Sequence, residues 1–455
     1  MTTGTQSYRY PAASALHDRR LTLQTSGGRT ERGLLANPRF FTGFLTAGEP
    51  AAVGLLTLAD VARTDFRRAG QPLDGSFGGY RDPIVTCGGE RLRFESFSAC
   101  CGAYARLDVL PAGLDGDRLD HGTTNVDVNP PLYAALTRVG GRDPLRLSVG
   151  PDDLTVTTLD GAVVEKKVPL PERWLRSLAE VPAIAARFEP RAALTPAETT
   201  AFINRLPSAA SREVRWVSQV GRSLRVATAP ARGAVCLAGP GRLALLRPLL
   251  RFARGLRVFG PSVAPGSGPA PSGWELDLGA MRFLLLLSPG TFRGFSGEGG
   301  LLEALADPTA ADDAETVAPL LGWAQVVDVD AVASAGGLAP QRVRAALAVL
   351  ATSGRVGYDP AEAAYFHREL PFDPALVTGL NPRLAGARAL VDGGHVTPSG
   401  EGFEVRAGER TYRVYPVAGG GLGCTCSWWV DHRGERGPCT HVLAAGAAGA
   451  AGGAR

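Results

Sequence analysis

Apolar runs of strand length and strand period occupy most of residues 90 to 290, broken by a few stretches of helical period. Residues 92–98 and 103–110 read as paired strands, 123–128 as a third, and 130–139 as a helix. The runs 145–149 and 154–159 then fold back over Pro151-Asp152-Asp153. A similar order recurs further on. Residues 214–220 and 224–228 read as paired strands, 234–238 leads into a helix over 241–254, and 256–259 and 274–287 follow. Thr195-Pro196-Ala197-Glu198 is a capping box with proline at the first helical position, so a helix opens this second copy. Residues 50–67 are its counterpart in the first copy.

The pattern changes after an acidic linker over 307–315 to helix, helix, helix, hairpin. The first apolar stretch is 317–327, the second is 329–335 and ends at Gly336-Gly337, and the third is 340–352. Val343, Ala346, Leu347 and Leu350 share one face of the third helix, and residues 355–358 and 364–368 form a hairpin around Asp359-Pro360. This order resembles a winged helix. The β-β-β-α-β-β repeat that precedes it resembles, in topology, the half-domains of DNA sliding clamps.

The clearest chemistry lies near the C-terminus, where Cys424-Thr425-Cys426 is followed by Cys439-Thr440-His441. Three thiolates and an imidazole make a complete tetrahedral set for Zn²⁺, with no position left for a substrate water. In an extended C-x-C pair both side chains project to one side. Cys439 stands at the entrance of an apolar, helix-favouring run and His441 in its first turn, where free N–H groups favour thiolates. Upstream, 402–406 and 411–415 alternate as two strands around a turn. A hairpin, then C-x-C, then C-x-H leading into a helix resembles the SWIM zinc finger, with Cys424, Cys426, Cys439 and His441 as its ligands over roughly residues 400–446. The resemblance implies one structural zinc ion and recognition of either nucleic acid or protein.

Composition narrows the picture further. Hydrophobic content of 45% with 20% charged residues suits a globular rather than a disordered chain. The longest apolar run, 283–287, is strand-sized and far short of a membrane span, and residues 1–20 lack a secretion signal, so a cytoplasmic protein is expected. The net charge of +4 does not by itself argue for nucleic acid. Arginine clusters do. Arg242, Arg247, Arg251 and Arg254 occur with no acid between them, and Arg247, Arg251 and Arg254 share one face of an α-helix. Arg342 and Arg344 lie on the third helix of the winged-helix-like module. These six are the expected phosphate contacts. Trp428 and Trp429, read as exposed in the zinc loop, are expected anchors for a partner.

No phosphate loop, nucleophile elbow or zinc-protease motif is present, and no catalytic residue is assigned. Cys87, Cys100, Cys101 and Cys236 read as core cysteines. The expectation is an α+β multidomain, non-enzymatic protein with no small-molecule substrate. It divides into a flexible basic leader (1–45), two α+β units (46–185 and 186–305), a winged-helix-like module (306–375), the zinc finger (376–446) and a disordered tail (447–455). DNA is the expected partner, with a protein-docking adaptor as the alternative.

Overall fold

The computed structural model describes residues 15–17, 20–22, 28–30, 33–35, 39–68, 83–118, 120–168, 172–207, 211–291, 294–295, 308–370, 382–417, 421–434 and 437–453. Helices and sheets are both abundant. Two short hairpins come first, β1 (Ala15–His17) with β2 (Arg20–Thr22) and β3 (Gly28–Thr30) with β4 (Gly33–Leu35). The rest of the leader up to residue 38 lies outside the described residues. Its expected end at 45 is too late, because β5 (Phe41–Leu45) pairs on both sides within a five-stranded sheet.

The first unit runs β5, α1 (Gly48–Arg63), β6 (Ile84–Gly88), β7 (Leu92–Phe97), β8 (Ala103–Val109), β9 (Leu114–Arg118) and β10 (His121–Asn125). It closes with α2 (Pro130–Thr137), β11 (Leu145–Val149), β12 (Asp153–Thr158) and β13 (Gly161–Lys166). Helix α3 (Glu172–Ala185) leads to the second unit: β14 (Glu189–Leu194), α4 (Pro196–Arg205), β15 (Val214–Val220), β16 (Ser223–Ala227) and β17 (Val235–Ala238). A 3₁₀ helix (Pro240–Phe252), β18 (Gly255–Gly260), β19 (Ser272–Asp277) and β20 (Met281–Leu287) complete it. Both units therefore follow one plan, in which the last three strands fold back onto the opening strand: β13-β12-β11-β5 in the first and β20-β19-β18-β14 in the second. The expected capping box is present, with Thr195 N–H and Oγ1 both donating to Glu198.

The units are welded edge to edge. β20 pairs along its whole length with β8, from Met281 opposite Val109 to Leu287 opposite Ala103, making a continuous eight-stranded sheet. The apolar run of β20 serves both faces. Phe283, Leu285 and Leu287 join the core under α1, α4 and the 3₁₀ helix. Leu284 and Leu286 join a second core with Trp174, Leu178 and Val181 of α3. A strand buried on both sides needs no polar alternation.

The next module comprises α5 (Pro308–Val317), α6 (Val329–Gly336), α7 (Pro340–Thr352) and a hairpin of β21 (Val356–Asp359) with β22 (Ala364–His367). The segment expected to be an acidic linker is thus α5, and 317–327 is mostly non-helical. Asp313, buried at 4% exposure, turns its carboxylate toward α7, where Arg342 holds it. The hairpin is not a projecting wing. It lies on the α3 side of the large sheet, with Asp359, Phe366 and His367 fully buried.

That contact is made by charge. Alternation along β7 and β8 places Arg93, Glu95, Arg106 and Asp108 on one face, with Arg282 of β20 in register beside Asp108. Asp359 of the hairpin reaches Arg106 at 3.0 Å and Arg282 at 2.7 Å. Arg368 pairs with Glu95, which also accepts the Tyr104 hydroxyl at 2.6 Å. The Arg93 guanidinium stacks 3.9 Å above the Phe366 ring. Burial alone would raise the Asp359 carboxyl, but Arg106, Arg282 and Arg93 outweigh it and hold the group well below the usual range.

Candidate metal centre

The C-terminal module begins with α8 (Pro382–Asp392) and continues through β23 (Val396–Ser399), β24 (Gly402–Ala407), β25 (Arg410–Pro416) and β26 (Leu422–Cys424), a four-stranded meander. Helices α9 (Ser427–His432) and α10 (Thr440–Gly453) follow. The expected hairpin is β24–β25, and the expected entry helix is α10. The tail expected to be disordered from 447 is helical to Gly453, in keeping with the high helix propensity of its alanines.

Each ligand position has a local cause. Cys424 ends β26 opposite Val414, pointing with it into the module core. Cys426 is the N-cap residue of α9, and Cys439 immediately precedes α10, so both sit at helix starts. His441 lies in the first turn of α10, its ring stacked on Tyr412 with centroids 4.0 Å apart.

Together Cys424, Cys426, Cys439 and His441 place their ligand atoms within 4.8 Å of one another, the only such group of three or more among the described residues. His441 Nδ1 is 3.7 Å from Cys424 Sγ and 3.9 Å from Cys439 Sγ. Zn–S bonds of about 2.3 Å and Zn–N bonds of about 2.0 Å at a tetrahedron's corners set N···S separations at about 3.5 Å, within a few tenths of an ångström of these two. The donor set and its spacing therefore fit one Zn²⁺. Hydrogen bonds from Cys424, then burial working the other way, then His441 and the Val442 N–H bring the Cys439 thiol down to about 4. Cys424, donating to it and buried, is pushed far up. Three crowded thiols thus share protons that a cation would replace.

The two tryptophans are not free anchors. Both are half-buried, and Trp428 donates its Nε1–H to the Gly437 carbonyl at 3.3 Å while Arg383 of α8 stacks 4.6 Å over its ring. Val430, between them and the loop, is the apolar side chain that α9 exposes, at 54%. Tyr412 and Arg383, which no motif marks, support the site. The inward phase of Tyr412, opposite Val405, could have shown the first.

Most of the arginines expected to meet phosphate are placed otherwise. Arg242 is buried, with hydrogen bonds to the carbonyls of Ala238 (2.7 Å), Gly102 (2.9 Å) and Ser288 (2.6 Å), and burial draws its pKa down to about 10. It joins the 3₁₀ helix to the β8–β20 weld. Arg247 donates to the Leu206 carbonyl at 2.8 Å, and Arg251 pairs with Glu49 of α1 at 2.7 Å. The expected shared face also dissolves, because a 3₁₀ helix repeats every three residues and sets Arg247 apart from Arg251. Arg254 is exposed, folded over Gly279 in the β19–β20 turn. Arg342 is bound to Asp313, while Arg344 is exposed on α7. Replacing Arg247 and Arg251 by Glu is expected to lower the melting temperature, since both lose internal partners. An unchanged melting curve would show them to be ordinary surface charges.

No family model matches the chain, and no curated protein does. Among the described residues no helix is long and apolar enough to cross a membrane. Solved structures similar to it include proliferating cellular nuclear antigen from Entamoeba histolytica, at 11% identity and a TM-score of 0.34, covering 55% of this chain and 99% of that one. Another is the PCNA2–PCNA3 complex from Sulfolobus tokodaii, at 10% identity and a TM-score of 0.39 with the same coverage of both chains.

Proposed function

We propose that this chain is a non-enzymatic protein-recognition scaffold, with a zinc-stabilised SWIM-type module at its C-terminus and the two welded α+β units as a rigid support. The observation that carries this reading is that four of the six arginines a nucleic-acid partner would require already have partners within the chain. Phosphate affinity comes from cations that neutralise the backbone and release its counterions. Arg242 faces carbonyls, Arg251 faces Glu49 and Arg342 faces Asp313, so these charges are already matched within the chain. On the zinc module Arg413 stands directly across from Glu404. The hairpin that a winged helix would send to a duplex or partner is buried against the sheet.

The test is binding of the zinc-loaded chain to labelled duplex and single-stranded DNA at about 50 and about 200 mM salt. The expected result is little binding at either. Tight binding that falls by about a thousandfold across that interval would overturn the reading in favour of DNA, and would direct mutagenesis to the exposed Arg254, Arg344, Arg406 and Arg413.

A further inference from the structure

The common plan of the two units has a gap. In the first unit β7 continues into β8 and then β20, and all six of its residues are buried. In the second unit β16 holds the place of β7, on the same side of its three-stranded sheet, but among the described residues no strand pairs with its outer edge. Its exposure shows the consequence. Leu224 is buried, whereas Val226, on the same core-facing side and opposite the buried Val217, is 40% exposed. Val220, beside the turn of the same hairpin, is 56% exposed. On the alternate face Arg225 is exposed. Arg222, which reaches Glu198 at 3.1 Å, still leaves 85% of its side chain in solvent.

We propose that β16 is an acceptor edge for an extended partner segment that alternates apolar and acidic residues. An added strand would bond the open backbone edge of β16. Its residues of one phase would lie beside Leu224 and Val226, and those of the other beside Arg225, since cross-strand neighbours share a face. The first phase is satisfied by apolar side chains and the second by carboxylates. A second copy of this chain fits poorly. The outer strand it would offer, β13, is held at its end by the Lys167–Val126 bridge, and its one carboxylate, Glu165, is buried, so it brings no acid to Arg225. Arg225 thus disfavours self-pairing and favours an acidic strand. This site is separate from the metal module and stands whether or not the module recognises protein.

The experiment uses the full zinc-loaded chain and three labelled peptides of about seven residues, the length of an ordinary strand. One alternates Glu with Val, one alternates Lys with Val, and one is the Glu–Val peptide with alternate backbone nitrogens methylated. Fluorescence anisotropy is expected to show the Glu–Val peptide binding at least about tenfold more tightly than either of the others. The Arg225→Glu variant should reverse the preference between Glu and Lys, and Arg225→Gln should reduce it. Both should keep the melting temperature, because the side chain is exposed. Hydrogen exchange should slow at the β16 amides when the Glu–Val peptide is bound. Equal binding of the Glu and Lys peptides, absence of binding, or protection elsewhere than β16 would overturn the proposal. So would concentration-dependent self-association that Val226→Lys abolishes, since the occupant would then be a second copy.

Discussion

Replacing Cys426 with serine is expected to abolish metal binding and unfold residues 382–453 while the two α+β units keep their structure. The module's fully buried core consists of Val405, Val414, Cys424, Cys426, Cys439 and Ala445. Three of these six are the ligands themselves, so without a metal the centre of the module is a set of crowded thiols. The flanking cluster of Leu384, Ala387, Leu443 and Ala444 joins α8 to α10 but is too small to hold the sheet alone. Structural zinc contributes on the order of 10 kcal/mol to modules of this size, more than their packing supplies. Metal analysis should therefore show about one zinc in the parent and none in the variant. Limited proteolysis should remove the C-terminal region and leave the units intact. A chelator should have the same effect on the parent and should alter emission from Trp428 and Trp429. One zinc per chain retained by Cys426→Ser would refute the assignment of that ligand.

How far the sequence could be read depended on how local each feature's cause is. The C-x-C and C-x-H pairs, the β24–β25 hairpin and the Thr195 capping box are set by neighbours a few residues away, and each stands where its pattern placed it. Helix α3 is less legible: Trp174, Leu178, Val181 and Ala185 recur at helical spacing, but Pro182 stands inside the segment. The stretch 274–287 reads as one strand by its apolar content, while the turn at Gly279, with φ of +82°, divides it in two. Arg242 owes its place to a more distant cause. An arginine in a basic run resembles a surface cation, and only the tertiary weld supplies the carbonyls of Gly102 and Ser288 that make its burial tolerable. The same holds for Leu92-Arg93-Phe94-Glu95, whose alternation describes a strand with one wet face. That face is covered by a hairpin more than 250 residues later in the chain, and nothing near β7 announces the cover.

The hairpin's hold on the sheet leads to the second large effect. Asp359→Asn should weaken the seating of residues 321–370 by about 3–5 kcal/mol, the usual result of removing one partner from a buried ionic cluster. The carboxylate bridges Arg106 and Arg282, both almost wholly buried, and it accepts the Ala361 N–H at 3.0 Å. Asparagine preserves the shape but leaves two guanidinium groups short of a counter-charge, since Arg106 then keeps only its pairing with Asp108, which also serves Arg93, and Arg282 keeps Asp108 at 3.7 Å and the partly exposed Glu362 at 3.3 Å. Hydrogen exchange should quicken in β21 and β22, with zinc content unchanged. The pH dependence separates charge from packing. The Asp359 carboxyl titrates below its unfolded value, so its stabilisation is complete above about pH 4 and is lost as pH falls through the folded value. Glu95 is displaced in the same direction, with Arg368 overcoming the effect of burial. The stability gap between parent and Asp359→Asn should therefore be constant across neutral pH and narrow on acidification below about pH 4. A gap that persists undiminished into acid would mean that shape, and not charge, seats the hairpin. With a narrowing gap, the contact is one whose two faces are both well solvated when apart, held closed at neutral pH by a carboxylate shared between two arginines.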